Sequence, residues 1–399
     1  MKVNLKFKNE VLIYTLLFLF SIHFINKGSY LLIFTMLVVL FRKGLSFKVN
    51  FNINFIFLLL FSSTYIISYS LHFGLSLKAV LYFFIGPIIS FLLGYDLIKS
   101  TNLTLSKLVI ILSLGTFTHG LLNMLLTFLN YGLNNNQRIV IDIWRKELVS
   151  ATGQGMFFTL ISSIFIIITI FSNYSYFIKT LFIFMGIFSI YSTLQLANRT
   201  LLVIIMLVWG IVCLIYFYLK KFNLKLILKW GIFISSSILV CLILYENNIL
   251  NMKEIILSSP LFNRIQSGNA FLDTSRTDIV LDFFDQWFNY PLGGNKIVML
   301  EKFLWTHNLW LDIYCAVGAI PFSLFVFYSL FSIRDVYIFI KRKNNSIYLK
   351  LLIVAIYIGM LANFMVEPIL ENNPYFFMIF IIVNGALKSV LINNKGELS

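Results

Sequence analysis

Residues 305–327 read WTHNLWLDIYCAVGAIPFSLFVF, and everything after Asp312 in that stretch is uncharged and largely apolar. A helix crossing a hydrocarbon layer of roughly 30 Å needs about 20 such residues. Uncharged runs of this kind recur along all 399 residues, whereas an outer-membrane barrel would show ten-residue alternation. With 59% hydrophobic residues, 12% charged residues and 43 phenylalanines, the chain is not a soluble globule, whose charged share lies near a quarter. The expected fold class is all-α: a polytopic membrane protein with about 12 transmembrane helices. They are placed near 11–25, 29–41, 53–72, 77–97, 107–130, 152–171, 180–197, 200–219, 227–245, 305–332, 350–366 and 375–392. Lys2, Lys6 and Lys8 before the first apolar run resemble a signal peptide, but no small-residue cleavage site follows, so a retained first helix is expected. Gly86-Pro87 should kink the fourth span.

The net charge of +15 does not point to nucleic acid, because of where it falls. With the amino terminus inside, the inner segments hold 20 of the 31 basic residues and 4 of the 16 acidic ones. That bias puts both termini in the cytoplasm. The arginines depart from it: 17 of 23 lysines lie inside, but Arg138, Arg145, Arg199, Arg264 and Arg276, five of eight arginines, lie outside. A planar, permanently charged fork suits carboxylate or phosphate better than an ammonium does. Pairing with outer acids, or snorkelling in the case of Arg199, is the plainer account of any one of them.

Cys213, Cys241 and Cys315 fall inside spans as small apolar fillers, and His23, His72, His119 and His307 show no metal-ligand spacing. No metal and no other cofactor is expected, and His23, His72 and His119 read as structural. The chain reads as a single integral membrane domain, 1–399, without internal repeats. Two outer segments exceed ordinary loop length: about 131–151, with Arg138 and Arg145, and 246–304, the large extracytoplasmic loop. Inside the latter, SRTDIVLDFFDQWFNYP (275–291) reads as an amphipathic helix. Ile279, Phe283, Trp287 and Tyr290 form its apolar face; Asp278, Asp282 and Asp285 lie on another. Ser275 with Asp278 makes a capping box and Pro291 ends the helix. It is expected to lie on the membrane surface or to cap a cavity.

The remaining polar anomalies collect on the outer side: Asn198-Arg199-Thr200 at a span start, Arg276 on the amphipathic helix, and His307-Asn308 at the end of the long loop. Asn198-Arg199-Thr200, Arg276 followed by FNYPLGG (288–294), and His307-Asn308-Leu309 with Gly318 and Pro321 resemble, in that order, motifs of the O-antigen polymerase and O-antigen ligase superfamily of bacterial membrane glycosyltransferases. The resemblance covers 190–330 and, through span count and loop placement, loosely the whole chain. Val280 stands where the family often has Trp, and Gly293-Gly294-Asn295 where it has Gly-x-Gly.

The resemblance implies inverting transfer of glycan from a polyprenyl-diphosphate-linked oligosaccharide at the outer leaflet of a bacterial cytoplasmic membrane, without metal or nucleotide. It also implies membrane lipids and a chain-length regulator as partners. Arg199 and Arg276 would meet the leaving diphosphate, helped by Arg138 or Arg145, and His307 would orient or deprotonate the acceptor with Asn308 holding geometry. Polymerase is favoured over ligase because the motif spellings are loose. A secondary transporter or flippase of lipid-linked oligosaccharide needs a similar span count, but would carry its charges near mid-membrane. A docking protein would have no use for His307.

Overall fold

In hydrocarbon a backbone N–H or C=O has no water to bond, so apolar runs satisfy themselves as helices. The computed structural model describes residues 2–42, 51–132, 138–221, 243, 245–266, 274–301 and 306–393. It is largely helical. After α1 (Lys2–Ser21) and α2 (Gly28–Arg42) come α3 (Ile53–Phe73), α4 (Leu77–Ser100), α5 (Leu105–Tyr131), α6 (Ala151–Phe171), α7 (Tyr176–Gln195) and α8 (Arg199–Leu219). The long loop contributes α9 (Thr274–Asp285), and α10 (Leu309–Val317), α11 (Ala319–Lys341), α12 (Ile347–Phe364) and α13 (Pro374–Asn393) complete the chain. Among the described residues nine helices, α3 to α8 and α11 to α13, are long and apolar enough to cross a membrane, the build of a polytopic membrane protein. The expected span at 227–245 lies almost wholly outside the described residues.

Three expectations need correction. The first two spans are short: the apolar part of α1 is Glu10–Ser21 and α2 is Gly28–Arg42, about 18 and 22 Å at 1.5 Å per residue. An ion pair of 3.3 Å between Arg42 and Glu10 brings their far ends to one level. The chain turns where hydropathy shows no break, because His23, Ile25 and Asn26 all take left-handed backbone conformations. Second, the span expected at 305–332 is broken: α10 ends at Gly318, and the long helix runs on from Ala319 to Lys341. Pro321 fits the first turn of α11, where no intrahelical N–H is needed. Third, the segment at about 131–151, expected as a loop, carries a small antiparallel hairpin, β1 (Ile139–Ile141) and β2 (Leu148–Ser150), with Val140 opposite Val149. Just before Gly86-Pro87, where a kink is expected, the helix has a π-helical stretch, Val80–Ile85.

The core is built around α13, which is buried along nearly its whole length. It lies against α4 at the closest helix contact: a Cβ on Gly94 would stand 2.0 Å from the Ile382 carbonyl oxygen, and one on Gly385 2.1 Å from that of Phe91. Close approach through small residues is how helices gain packing energy where there is no hydrophobic drive between them. By contrast α7 and α8 leave Phe184, Ile187, Val203 and Met206 exposed on an apolar outer face.

The two ends of α13 lie in different polar surroundings. At one end Asp335 is buried, accepting from Asn54 Nδ2 at 2.8 Å and from Lys388 Nζ at 2.9–3.0 Å. Asp335→Ala would leave the Lys388 charge without that partner, so a loss of about 3–5 kcal/mol is expected. Thermal unfolding in detergent checks it. An unchanged melting temperature would mean that the pair is solvated.

Candidate functional site

At the opposite end, α5 carries His119, Asn123 and Thr127 at helical i, i+4, i+8 spacing, hence on one face. The hairpin descends along this stripe by one rung per turn. The Ile141 N–H donates to Thr127 Oγ1 at 2.8 Å, the Ile143 N–H to Asn123 Oδ1 at 2.8 Å, and Asp142 Oδ2 meets His119 Nε2 at 3.0 Å. Asn123 is itself held by Gln154, which donates to the Gly120 carbonyl at 2.7 Å. The hairpin tip therefore lies two helical turns below Thr127, inside the bundle.

The tip is an Asx turn. Asp142 Oδ1 accepts the Trp144 and Arg145 N–H groups at 2.9 and 2.8 Å. Trp144 Nε1 donates to the Ile22 carbonyl at 2.8 Å and Arg145 Nε to Asn26 Oδ1 at 3.3 Å, so the short turn between α1 and α2 is what receives the tip. His23 in that turn is buried; its ring centroid lies 5.0 Å from His119, 5.7 Å from Phe157 and 4.1 Å from Tyr375. The Tyr375 hydroxyl meets that of Tyr82 at 3.1 Å.

Between hairpin, α6 and the turn before α13 is a recess of about 410 Å³, with His23, Asp142, Arg145, Glu147, Phe157 and Asn373 in its wall. Burial, then His119 and Arg145, push the His23 pKa well below its ordinary value. Burial raises that of Asp142, but the His119 hydrogen bond and charge and the two backbone N–H groups outweigh it and hold the carboxyl low. Among the described residues no three His, Cys, Asp or Glu side chains converge as metal ligands.

Of the candidate site residues read from the sequence, Arg145 is the one in this recess wall among the described residues. Arg138, also left-handed, gives its carbonyl to the Ala151 N–H at 2.9 Å, and the Ala151 carbonyl accepts from Asn198 Nδ2 at 2.7 Å. Asn198 caps α8, so Arg199 follows directly from that junction. His307 (φ 48°) precedes Asn308, whose Oδ1 caps α10 by accepting the Trp310 and Leu311 N–H groups. Asn308 Nδ2 also reaches the Met365 carbonyl at 3.4 Å. The turn after α12 thus links this pair to the recess, since Asn373 at its other end is in the recess wall. Asp312 is taken up by Lys296 at 2.8 Å, both buried. Arg276 stands in the first turn of α9, which begins at Thr274 and so has the expected cap residue Ser275 inside it; the Ser275 and Arg276 side chains lie outside the described residues.

α9 caps α10. Ile279 and Phe283 are buried against Tyr314 and Cys315, and Trp287 stacks on Tyr314 at 4.1 Å, while Asp278, Asp282 and Asp285 are exposed. Pro291 to Gly294 form a loop on the break between α10 and α11: Ala319 N–H donates to the Pro291 carbonyl at 2.9 Å and Gly294 N–H to that of Ala316 at 3.3 Å. His72 fastens it by donating to the Leu292 carbonyl at 3.0 Å. The motif pieces Pro-Leu-Gly-Gly and Gly318 are therefore one contact.

Sequence reasoning missed His23, His119 and Asp142 as a group. The polar stripe on α5 was the available signal, since a span has no reason to carry His, Asn and Thr on one face unless something polar lies against it. No family model matches the chain, and no curated protein matches it significantly.

Proposed function

We propose that the chain is a polymerase of lipid-linked oligosaccharide repeat units in a bacterial cytoplasmic membrane, with about 12 spans and both termini in the cytoplasm. It transfers glycan with inversion from a polyprenyl diphosphate carrier at the outer leaflet. The observation that carries this reading is the recess: a concave, partly aromatic site of oligosaccharide scale, open at one end of the bundle, with Arg145 in its wall. Arg138 and Arg199 flank it through the Ala151 junction and stand with Arg145 as the groups for the diphosphate, and Arg276 is kept with them on its sequence position. His307 and Asn308, joined to the recess through the segment between α12 and α13, orient the acceptor.

The test uses the purified full chain in lipid nanodiscs with a polyprenyl-diphosphate-linked repeat unit and no added metal or nucleotide. A ladder of glycan lengths is expected. Arg145→Lys keeps the charge but loses the fork, and a hydrogen bond to a charged group is worth about 1.5–3 kcal/mol. Donor binding should then weaken about 10- to 100-fold. If the unaltered chain makes no product from the lipid-linked unit, the reading falls.

A further inference from the structure

The buried histidine pair has no part in the reading so far. We propose that His23 takes the proton of the acceptor hydroxyl during transfer, with His119 and Asp142 as positioning residues that hold its surroundings and accept the proton onward. The proposal rests on the glycosyl-transfer reading and leaves the orienting role to His307.

In the step, the acceptor O–H bond breaks toward a ring nitrogen of His23 and the oxygen bonds the anomeric carbon. The bond from that carbon to the diphosphate oxygen breaks, and its electron pair leaves with the polyprenyl diphosphate, whose charge Arg145 meets. No further reactant is needed.

Three observations support it. His23 shares the recess wall with Arg145, so base and leaving-group partner face one space. Behind it, Asp142 is engaged as an acceptor at both oxygens, by two backbone N–H groups at Oδ1 and by His119 at Oδ2. Neutral His119 therefore carries its proton on Nε2 and presents a lone pair at Nδ1, which is buried and has no hydrogen-bond partner among the described residues. Buried polar atoms are nearly always satisfied, so a vacant acceptor beside a second histidine suits a proton in transit. Once there, the proton would make His119 an imidazolium facing the Asp142 carboxylate. Third, burial, His119 from α5 and Arg145 from the hairpin segment keep His23 neutral at rest, as a base must be, against the pull of the carboxylates Asp142 and Glu147 that share the recess wall, with the Tyr375 ring of α13, backed by Tyr82, beside it.

The experiment compares single-turnover transfer by the full chain and by His23→Gln in nanodiscs, using a polyprenyl-diphosphate oligosaccharide as donor and a defined oligosaccharide as acceptor. Removing general-base help should slow transfer about 10²- to 10⁴-fold while donor binding is retained. Azide, a nucleophile with no proton to lose, should restore turnover to His23→Gln as glycosyl azide but should not rescue Arg145→Ala. His119→Gln should slow transfer less than His23→Gln. Transfer by His23→Gln within threefold of the unaltered chain overturns the proposal. So does a slow variant that binds donor yet is not rescued by azide, which would make the role structural. An unaltered chain that transfers nothing overturns the glycosyl reading and this inference together, whereas an active chain with an active His23→Gln overturns this inference alone.

Discussion

Asp142→Ala is expected to unseat the hairpin from the bundle. The alanine leaves His119 Nε2 and the Trp144 and Arg145 N–H groups without their acceptor. A buried donor so stranded costs about 1–3 kcal/mol, so the combined loss is a large part of a stability that is commonly about 5–15 kcal/mol. Hydrogen exchange should show lost protection across 139–150 while α13 stays protected. Asp142→Asn keeps an acceptor for the two backbone groups and gives His119 the option of its other tautomer, so its loss should be clearly smaller. Wild-type protection in the alanine variant would mean that the hairpin is held by β1 and β2 alone. Acid should act on the same place. His23 sits below its unfolded value of 6.5, so the unfolded chain binds the proton first and stability falls as pH drops below about 6.5. Asp142 is held below 3.8 and adds stability above that value, which is lost as pH falls through its lowered pKa. Melting temperatures in detergent should decline from pH 7 to pH 5, and His23→Gln should flatten the decline.

Gly318→Ala should abolish recovery of folded protein. Gly318 has φ +88° and ψ −172°, a region essentially closed to other residues, at a cost of about 1–3 kcal/mol. Its Cβ would also stand 2.5 Å from the Pro291 carbonyl oxygen and from the Leu292 carbonyl carbon. These are backbone atoms with no rotamer to relieve the overlap, and overpacking adds about 1–3 kcal/mol. Gly293→Ala meets the same junction from the other side, 2.6 Å from the Val317 carbonyl carbon. Gly210→Ala is the contrast, since a Cβ there meets nothing within 4 Å among the described residues, in the middle of α8. It should be neutral or slightly stabilising. Size-exclusion profiles in detergent separate the cases, and a monodisperse Gly318→Ala protein with an unchanged melting temperature would refute the strained junction.

Hydropathy made most of the long helices legible, because in a membrane an apolar run of about 20 residues has few alternatives. It failed where the break is conformational. Ile22-His23-Phe24-Ile25 reads as a continuing span, yet left-handed residues end the helix there. The break at Gly318 is likewise a matter of φ, and Gly followed by Pro321 looks tolerable inside a span. For the site, the outer segregation of arginines pointed to Arg145, which is in the recess wall. His119 and Asp142 stayed hidden because they are separated by 23 residues and meet only when the hairpin folds back along α5. Asp312, five residues after His307 in the sequence, is paired instead with Lys296.

The shortness of α1 and α2 bears on the lipid as well as on the protein. From the Glu10–Arg42 pair to the turn that holds His23 the structure rises only about 18–22 Å, against a hydrocarbon thickness of roughly 30 Å. Such a negative mismatch of about 8–12 Å is relieved by thinning of the adjoining leaflet. Headgroups beside α1 and α2 then sit deeper than elsewhere around the protein, close to the level of the hairpin tip. A lipid phosphate in that leaflet could come alongside the recess by lateral diffusion while its tail stayed among the acyl chains.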